Sequence, residues 1–411
     1  MEQFGDLNGV RISRDPIKNW VRSKNWMSRG NWVIFSLLST IFILVFACDD
    51  NNIKDDSDNK MTMIAGNGLF GINIFLAGSG TMTIDWGDGT KIETHKLTSF
   101  ETEWQSGHEF SHSFSGTSVR FITISGDNIT HFSCVNKGLI SLDVSKNSAL
   151  TYLDCLMNKI TSLNVESNTA LTYLRCYENQ LTNLDVSKNA ALAFLDCAGN
   201  SLTTLNLSNN ILLKELNCHG NQLKSLNLSK NPMLTSLDCG RNQLTELNVT
   251  CNSMLTFLNC YYNQLTELDV SKNMILSNLS CNSNQLAELD ISKNTELTFL
   301  WCHNNQLTDL NIKNNKELAI FWCGNNQLTK LDLSNNPKLN IVNCQSNRLT
   351  TESLNTLFEM LHDNTFPVNN NSWGGPHMIV KHVFIYNNLG TNNFSDGTIL
   401  SNGWTICTYE M

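Results

Sequence analysis

Between Ile129 and Leu349, apolar and polar positions recur with a period of 21 residues, in units that read LxxLxCxxNxLTxLDVSxNxx. Where a unit crosses its cysteine, as in Leu300-Trp301-Cys302-His303, a fixed apolar position alternates with a variable one. Side chains of a strand alternate between its two faces, so the fixed pair points inward and the variable pair toward solvent. A 21-residue unit has room for two short strands and two turns, and none for a strand with a long helix. Stacked at about 4.8 Å per coil, ten to eleven units predict a mainly β solenoid about 50 Å long.

Cysteines stand at 134, 155, 176, 197, 218, 239, 260, 281, 302, 323 and 344. Three positions beyond all but the first is an asparagine, from Asn158 to Asn347, and a second asparagine row runs from Asn147 to Asn336. Each asparagine is expected to turn inward and bond the backbone of its bend. The thiol–imidazole neighbours Cys302 and His303 suggest a catalytic pair or half a metal site. Strand alternation separates them: Cys302 joins the buried row and His303 faces out. Adjacent cysteines lie within disulfide range, and exported proteins meet oxidising conditions. Yet eleven is an odd number, a free cysteine packs as a small hydrophobe, and a line of thiols does not converge on a metal. The expectation is a reduced, structural ladder. Cys251 and Cys407 stand outside it with no assigned role.

The flanks carry other patterns. MTMIA, GINIFLA, TMTIDW and SVRFITIS, between Lys60 and Gly126, read as strands and predict a β-sandwich-like N-terminal cap over 61–126. The repeats occupy 127–349. Beyond them, Thr351 is predicted to cap a helix with Leu354, Leu357, Phe358 and Leu361 on one stripe. Strands over Met378–Tyr386 and Gly403–Tyr409 complete a small α/β C-terminal cap over 350–411. At the other extreme, Trp32 to Ala47 is an apolar run of 16 residues, short for a span of about 20. Arg29 precedes it and Ala47-Cys48 follows, which describes an export signal over 1–47, with Met27 a candidate start. A non-cleaved anchor is the alternative, and both place the remainder outside the cytoplasm. The acidic stretch to Lys60 reads as a solvated tether over 48–60.

LxxLxCxxNxL resembles the leucine-rich repeat, and the 21-residue form with its LDVSxN half is similar to the short bacterial variety. Val45-Phe46-Ala47-Cys48 resembles a lipobox, which implies that Cys48 receives lipid and becomes the mature N-terminus. Asp directly after such a cysteine resembles an inner-membrane retention signal in enteric bacteria and a surface-export signal in other Gram-negative groups. The surface of the outer membrane is the preferred reading. Asp85-Trp86-Gly87-Asp88-Gly89-Thr90 with Phe110-Ser111-His112-Ser113-Phe114 resembles PKD-like β-sandwich domains, with Phe114 where tyrosine is usual. For Asp85 and Asp88 a tight turn competes with a calcium site, and the bidentate Glu of an EF-hand loop is missing.

Composition narrows the function. Of 411 residues, 41% are hydrophobic and 16% charged, enough to bury a core. The net charge of −9, with no basic stripe, excludes nucleic acid as a natural partner. No phosphate-binding glycine loop, HExxH, GxSxG or CxxC occurs, so an enzyme is the weakest class and no cofactor is implied. Function then falls to the variable outward positions. There, Phe257, Tyr261, Tyr262, Phe299, Trp301, His303 and Trp322 gather within four coils, and exposed aromatics mark interaction sites. The alternative is that a cap or loop covers them. A protein partner would use this patch as hot spots in adhesion or cell-surface interaction; a glycan partner would stack sugar rings on Trp301 and Trp322. A flat surface favours protein and a narrow cleft favours sugar.

Overall fold

The computed structural model describes residues 59–99, 108–362, 381–395 and 397–408. Cys48, the apolar run 32–47 and nearly all of the acidic tether lie outside the described residues. Six strands come first: β1 (Lys60–Ala65), β2 (Gly71–Asp85), β3 (Glu93–Lys96), β4 (His108–Ser113), β5 (Arg120–Ser133) and β6 (Leu139–Asp143). They pair antiparallel, β1 with β5 and β6, and β2 with β3, β4 and β5. Strand alternation places Met61, Met63, Ile74, Ile84, Ile122 and Ile124 in a common core. The β2–β5 register shifts between Ala77 and Met82. Gly78 allows this close approach, since a Cβ there would lie 2.0 Å from the carbonyl oxygen of Asn128.

The solenoid starts on β5 itself. Its last residues, His131 to Ser133, pair in parallel with β7 (Tyr152–Asp154). The ladder continues through β8 (Tyr173–Arg175), β9 (Phe194–Asp196), β10 (Glu215–Asn217), β11 (Ser236–Asp238) and β12 (Phe257–Asn259). It then runs through β13 (Asn278–Ser280), β14 (Phe299–Trp301), β15 (Ile320–Trp322) and β16 (Ile341–Asn343). Equivalent residues pair across each step, as Leu216 with Leu237 and Leu300 with Phe321. One three-residue strand per coil is observed, where the sequence predicts two. In the second half of each unit, side chains take the backbone donors that a strand ladder would use. Leu223 N donates to Asn242 Oδ1 at 3.0 Å, and Ser229 N to Asn227 Oδ1 at 3.0 Å.

Inside, all eleven ladder cysteines are fully buried and none forms a disulfide. The asparagine three beyond each cysteine but the first ties neighbouring coils together, as expected of its amide. Asn242 Nδ2 donates to the carbonyls of Cys218, Cys239 and Gly240 at 3.0–3.1 Å.

The C-terminal segment contains more solenoid than its pattern announces. Helix α1 (Thr351–Met360) buries Leu354, Leu357 and Phe358, and is capped by Thr350. That is one residue earlier than predicted: Thr350 Oγ1, not Thr351, accepts from Ser353 N at 3.2 Å. Beyond it, β17 (Lys381–Phe384) and β18 (Trp404–Cys407) join β16 in parallel, giving about twelve coils. Asn388 supplies a further rung of the asparagine row, with Ile385 in the cysteine position. Its Nδ2 donates to Cys344 O at 3.0 Å and Ile385 O at 2.7 Å, and its Oδ1 accepts from Asn347 N at 3.1 Å. Among the described residues no helix is long and apolar enough to cross a membrane.

Candidate binding surface on the strand face

Each three-residue strand presents its first and third residues outward, and the residue after the cysteine adds a third column. Parallel, in-register pairing makes these columns continuous, so neighbouring side chains lie one coil apart. The face carries two stacks of rings with a polar stretch between them.

Trp301 and Trp322 stack at 5.4 Å with planes 27° apart, and His303 tilts against Trp322 at 5.8 Å. Trp301 is exposed, whereas Trp322, His303 and Phe299 are half-buried. Burial lowers the His303 pKa from its ordinary value, which favours the neutral ring. Trp322 Nε1 and His303 Nδ1 are withheld from water without a hydrogen-bond partner. An unmet buried polar atom costs about 1–3 kcal/mol. Phe257 and Tyr262 are exposed and Tyr261 half-buried. Tyr261 and Tyr262 meet edge to face at 5.6 Å. Asn278 pairs between Phe257 and Phe299, so no ring bridges those two strands at that column. The seven residues of the predicted patch therefore divide into a Trp301–Trp322–His303 cluster, a Tyr261–Tyr262 pair, and Phe257 and Phe299 standing in the first-residue column.

Three further groups extend beyond that predicted patch, one of them through Tyr261. His131, Tyr152, Tyr173 and Phe194 form a continuous stack, with successive centroids 5.5, 4.4 and 4.2 Å apart. Beside it Arg175 lies between Asp154, at 3.6 Å, and Asp196, at 3.8 Å. In mid-ladder, Tyr261 reaches His219 two coils away, its hydroxyl 3.3 Å from Nδ1, and Asp238 accepts from Asn259 at 2.9 Å. The third group lies on the turns after the second asparagine row. There Ile211, Leu212, Met233, Met254, Met274 and Ile275 are exposed on four successive coils, where other coils carry Ser, Thr, Ala, Pro, Lys or Glu. The signal that could have found all three is the column to which each residue belongs.

In the N-terminal unit, Asp85 Oδ1 accepts from Gly87 N at 2.9 Å, and Asp88 Oδ1 from Thr90 N at 3.0 Å. His112 Nε2 lies 2.8 Å from Asp88 Oδ2 and its ring stacks on buried Trp86 at 5.0 Å. Bonds from Thr90 and His112 hold the Asp88 carboxyl well below the usual range. These oxygens fasten a turn to a neighbouring strand. Among the described residues no group of three or more His, Cys, Asp or Glu is placed to hold a metal.

The architecture is similar to the functional domain of InlJ from Listeria monocytogenes, whose structure includes a cysteine ladder. The two share 30% identity over 67% of each sequence, with a TM-score of 0.53. The chain is a leucine-rich-repeat protein. An internalin, inlF of the same organism, matches over 68% of this protein and 86% of its own length at 19% identity, with a TM-score of 0.52, which speaks for the fold alone. No family model and no curated protein matches the sequence. Within this leucine-rich-repeat ladder the interior rows repeat from coil to coil, and the strand face is the part that varies.

Proposed function

We propose that this leucine-rich-repeat protein is a non-catalytic binder that engages a protein partner with the strand face of its solenoid. The observation that carries the reading is the Trp301–Trp322–His303 cluster, an aromatic group on a regular sheet with two buried ring nitrogens left unpartnered. Aromatic anchors surrounded by polar side chains are what a protein interface uses as hot spots. The ring geometry favours protein over sugar. Stacked rings cover each other's faces and offer edges, and a sugar needs a free face. A stack of two leaves only its outer faces, beside Ser280 for exposed Trp301 and beside Asn343 for half-buried Trp322, neither of which has a ring. The outer face of Trp301 is what supports a glycan as the second reading.

We further propose export to the outer membrane surface through a lipid on Cys48, on the strength of the apolar run and Val45-Phe46-Ala47-Cys48. Metabolic labelling with a fatty-acid probe should then mark the protein and fail to mark Cys48→Ala. Equal labelling of the two, or none of either, refutes lipidation at that residue. The binding test sets the protein from Lys60 onward against protein and glycan arrays, beside a Trp301→Ala/Trp322→Ala control. Protein hits lost in the control support the reading. Glycan hits lost in the control replace it with the second. Hits that survive the control move function off this cluster.

A further inference from the structure

Each coil places one residue, two beyond the cysteine position, in left-handed backbone. Glycine, asparagine or serine fills it in most coils, as at Gly199 (φ 60°), Gly220 (64°), Asn304 (55°) and Asn325 (52°). Those residues tolerate positive φ; bulky ones do so at a cost. Met157 (57°), Glu178 (50°), Arg241 (49°) and Tyr262 (49°) are the exceptions, and of these Arg241 and Tyr262 stand in successive coils with their side chains in contact. Neither belongs there by local preference. A residue kept in an unfavourable conformation invites a functional account when its surroundings also have one.

The surroundings do. The Arg241 guanidinium carbon lies 5.0 Å from the centre of the Tyr262 ring and 6.0 Å from that of Tyr261. Tyr261 is itself fixed, lying over Gly240, where a Cβ would come within 2.6 Å of the ring. Among the described residues, no ion pair includes Arg241, in a protein of net charge −9. Arg175, by contrast, sits between two carboxylates. The nearest acid in sequence on this face, Asp238, is occupied by Asn259 at 2.9 Å and faces His219 at 3.6 Å. A guanidinium at these distances from two rings, with no carboxylate beside it, keeps its N–H fork for another acceptor, and that fork matches a carboxylate. Tyr and Arg are also the residue types that dominate interface energetics.

We propose that Arg241, held on the rings of Tyr261 and Tyr262 at the rim of the strand face, binds a carboxylate of the protein partner. The inference rests on the protein-binding reading and names the chemistry that the partner presents: an Asp or Glu side chain, or a terminal α-carboxylate.

The test pans a random peptide display library on the purified protein. Enriched peptides are then measured against wild type, Arg241→Asn, Arg241→Lys and Trp301→Ala/Trp322→Ala, with uronate oligosaccharides as a second probe. The expected result is enrichment of acidic peptides whose affinity falls at least about tenfold in Arg241→Asn and is partly kept in Arg241→Lys, with steep weakening by salt. Arg241→Asn should also melt about two degrees higher, because asparagine accepts the left-handed backbone better. Peptides that bind through the tryptophans, carry no acidic preference and ignore Arg241→Asn overturn this inference and leave the protein-binding reading intact. Binding of no peptide, with Arg241-dependent binding of uronates, overturns both.

Discussion

In β7 to β16 the central residue of each strand and the cysteine beyond it point inward, while their neighbours point outward, and the two faces are built on opposite rules. Inside, each residue packs against a copy of itself one coil away, so a substitution in one coil is felt in three. Outside, Asp154 neighbours Arg175 and Ser280 neighbours Trp301, and hardly a rung repeats its predecessor. Uniformity belongs where the neighbour is another coil. Variety belongs where the neighbour is a ligand. The difference can be broken or sharpened by experiment.

The largest effect should come from raising the pH. Burial raises every ladder thiol above its ordinary value of 9.0, and Cys281 and Cys344 are pushed up to about 12. The remaining nine are also raised, with burial the leading cause. The unfolded protein loses these protons near pH 9 and the folded protein keeps them, so the stabilisation is complete below pH 9 and disappears as pH climbs toward 12. At 1.36 kcal/mol per pH unit for each thiol, the row together loses on the order of 10 kcal/mol per unit. Against a total stability of about 5–15 kcal/mol, unfolding should be complete within roughly one unit above pH 9. Tryptophan fluorescence across a pH titration checks it. In Cys239→Ala/Cys260→Ala/Cys281→Ala the fall of urea midpoint with pH above 9 should be shallower by about three elevenths, whatever the packing loss at pH 7, and in Cys251→Ala it should be unchanged. A slope indifferent to the triple substitution would show that the thiols are not its cause.

Next in size is a contrast between the two asparagine rows. Asn242 uses both ends of its amide, with three donations from Nδ2 and one acceptance at Oδ1. Asn252, on the second row, donates to Leu228 O at 3.2 Å and Asn231 O at 2.8 Å, while its Oδ1 is buried without a partner. Asn242→Ala strands several backbone groups and should cost about 3–5 kcal/mol, whereas Asn252→Ala also removes an unmet acceptor and should cost about 1–2 kcal/mol. Urea midpoints of the two variants decide it, and equal losses would mean that the rows are equivalent.

This interior was legible in the sequence because a period of 21 printed it ten times over. The register of Leu, Cys and Asn predicted the inward face and the amide bonds. The last two coils escaped because α1 interrupts the count and isoleucine replaces cysteine at 385, leaving Asn388 as the one surviving mark. The second predicted strand failed for a different reason. The asparagine and Asx contacts that consume its donors depend on the bend, which periodicity does not reveal. On the outer face, the aromatic positions were readable, and their partners were not. That Tyr261 crosses Gly240 to meet His219, or that Arg241 rests on two rings, depends on side-chain direction between coils. The left-handed column lay in plain view, with glycine, asparagine or serine in most coils and Met157, Glu178, Arg241 and Tyr262 as the departures from it.

The smallest effect asks whether a charge on the outer face can belong to the architecture. Arg175 is 38% exposed, but Asp154 and Asp196 beside it are nearly buried. Burial raises both carboxyls above the ordinary 3.8, while backbone bonds from Leu156 and Ala198, and Arg175 itself, pull them down. A carboxyl raised in the folded state favours folding below its unfolded value and opposes it as pH rises through the folded value. Arg175→Met would raise both further, so the variant should be less stable than wild type at pH 7. The loss should be about 0.5–1 kcal/mol, given the exposure of the arginine and the long contacts. Below about pH 4 both acids are neutral in either protein and the difference should close. Urea midpoints at pH 7 and pH 3 measure it. A gap that persists at pH 3 would assign Arg175 to packing along the Tyr152–Tyr173–Phe194 stack and not to charge. The same substitution at Arg241, whose guanidinium meets rings and no carboxylate, should leave the midpoints of variant and wild type moving together between the two pH values.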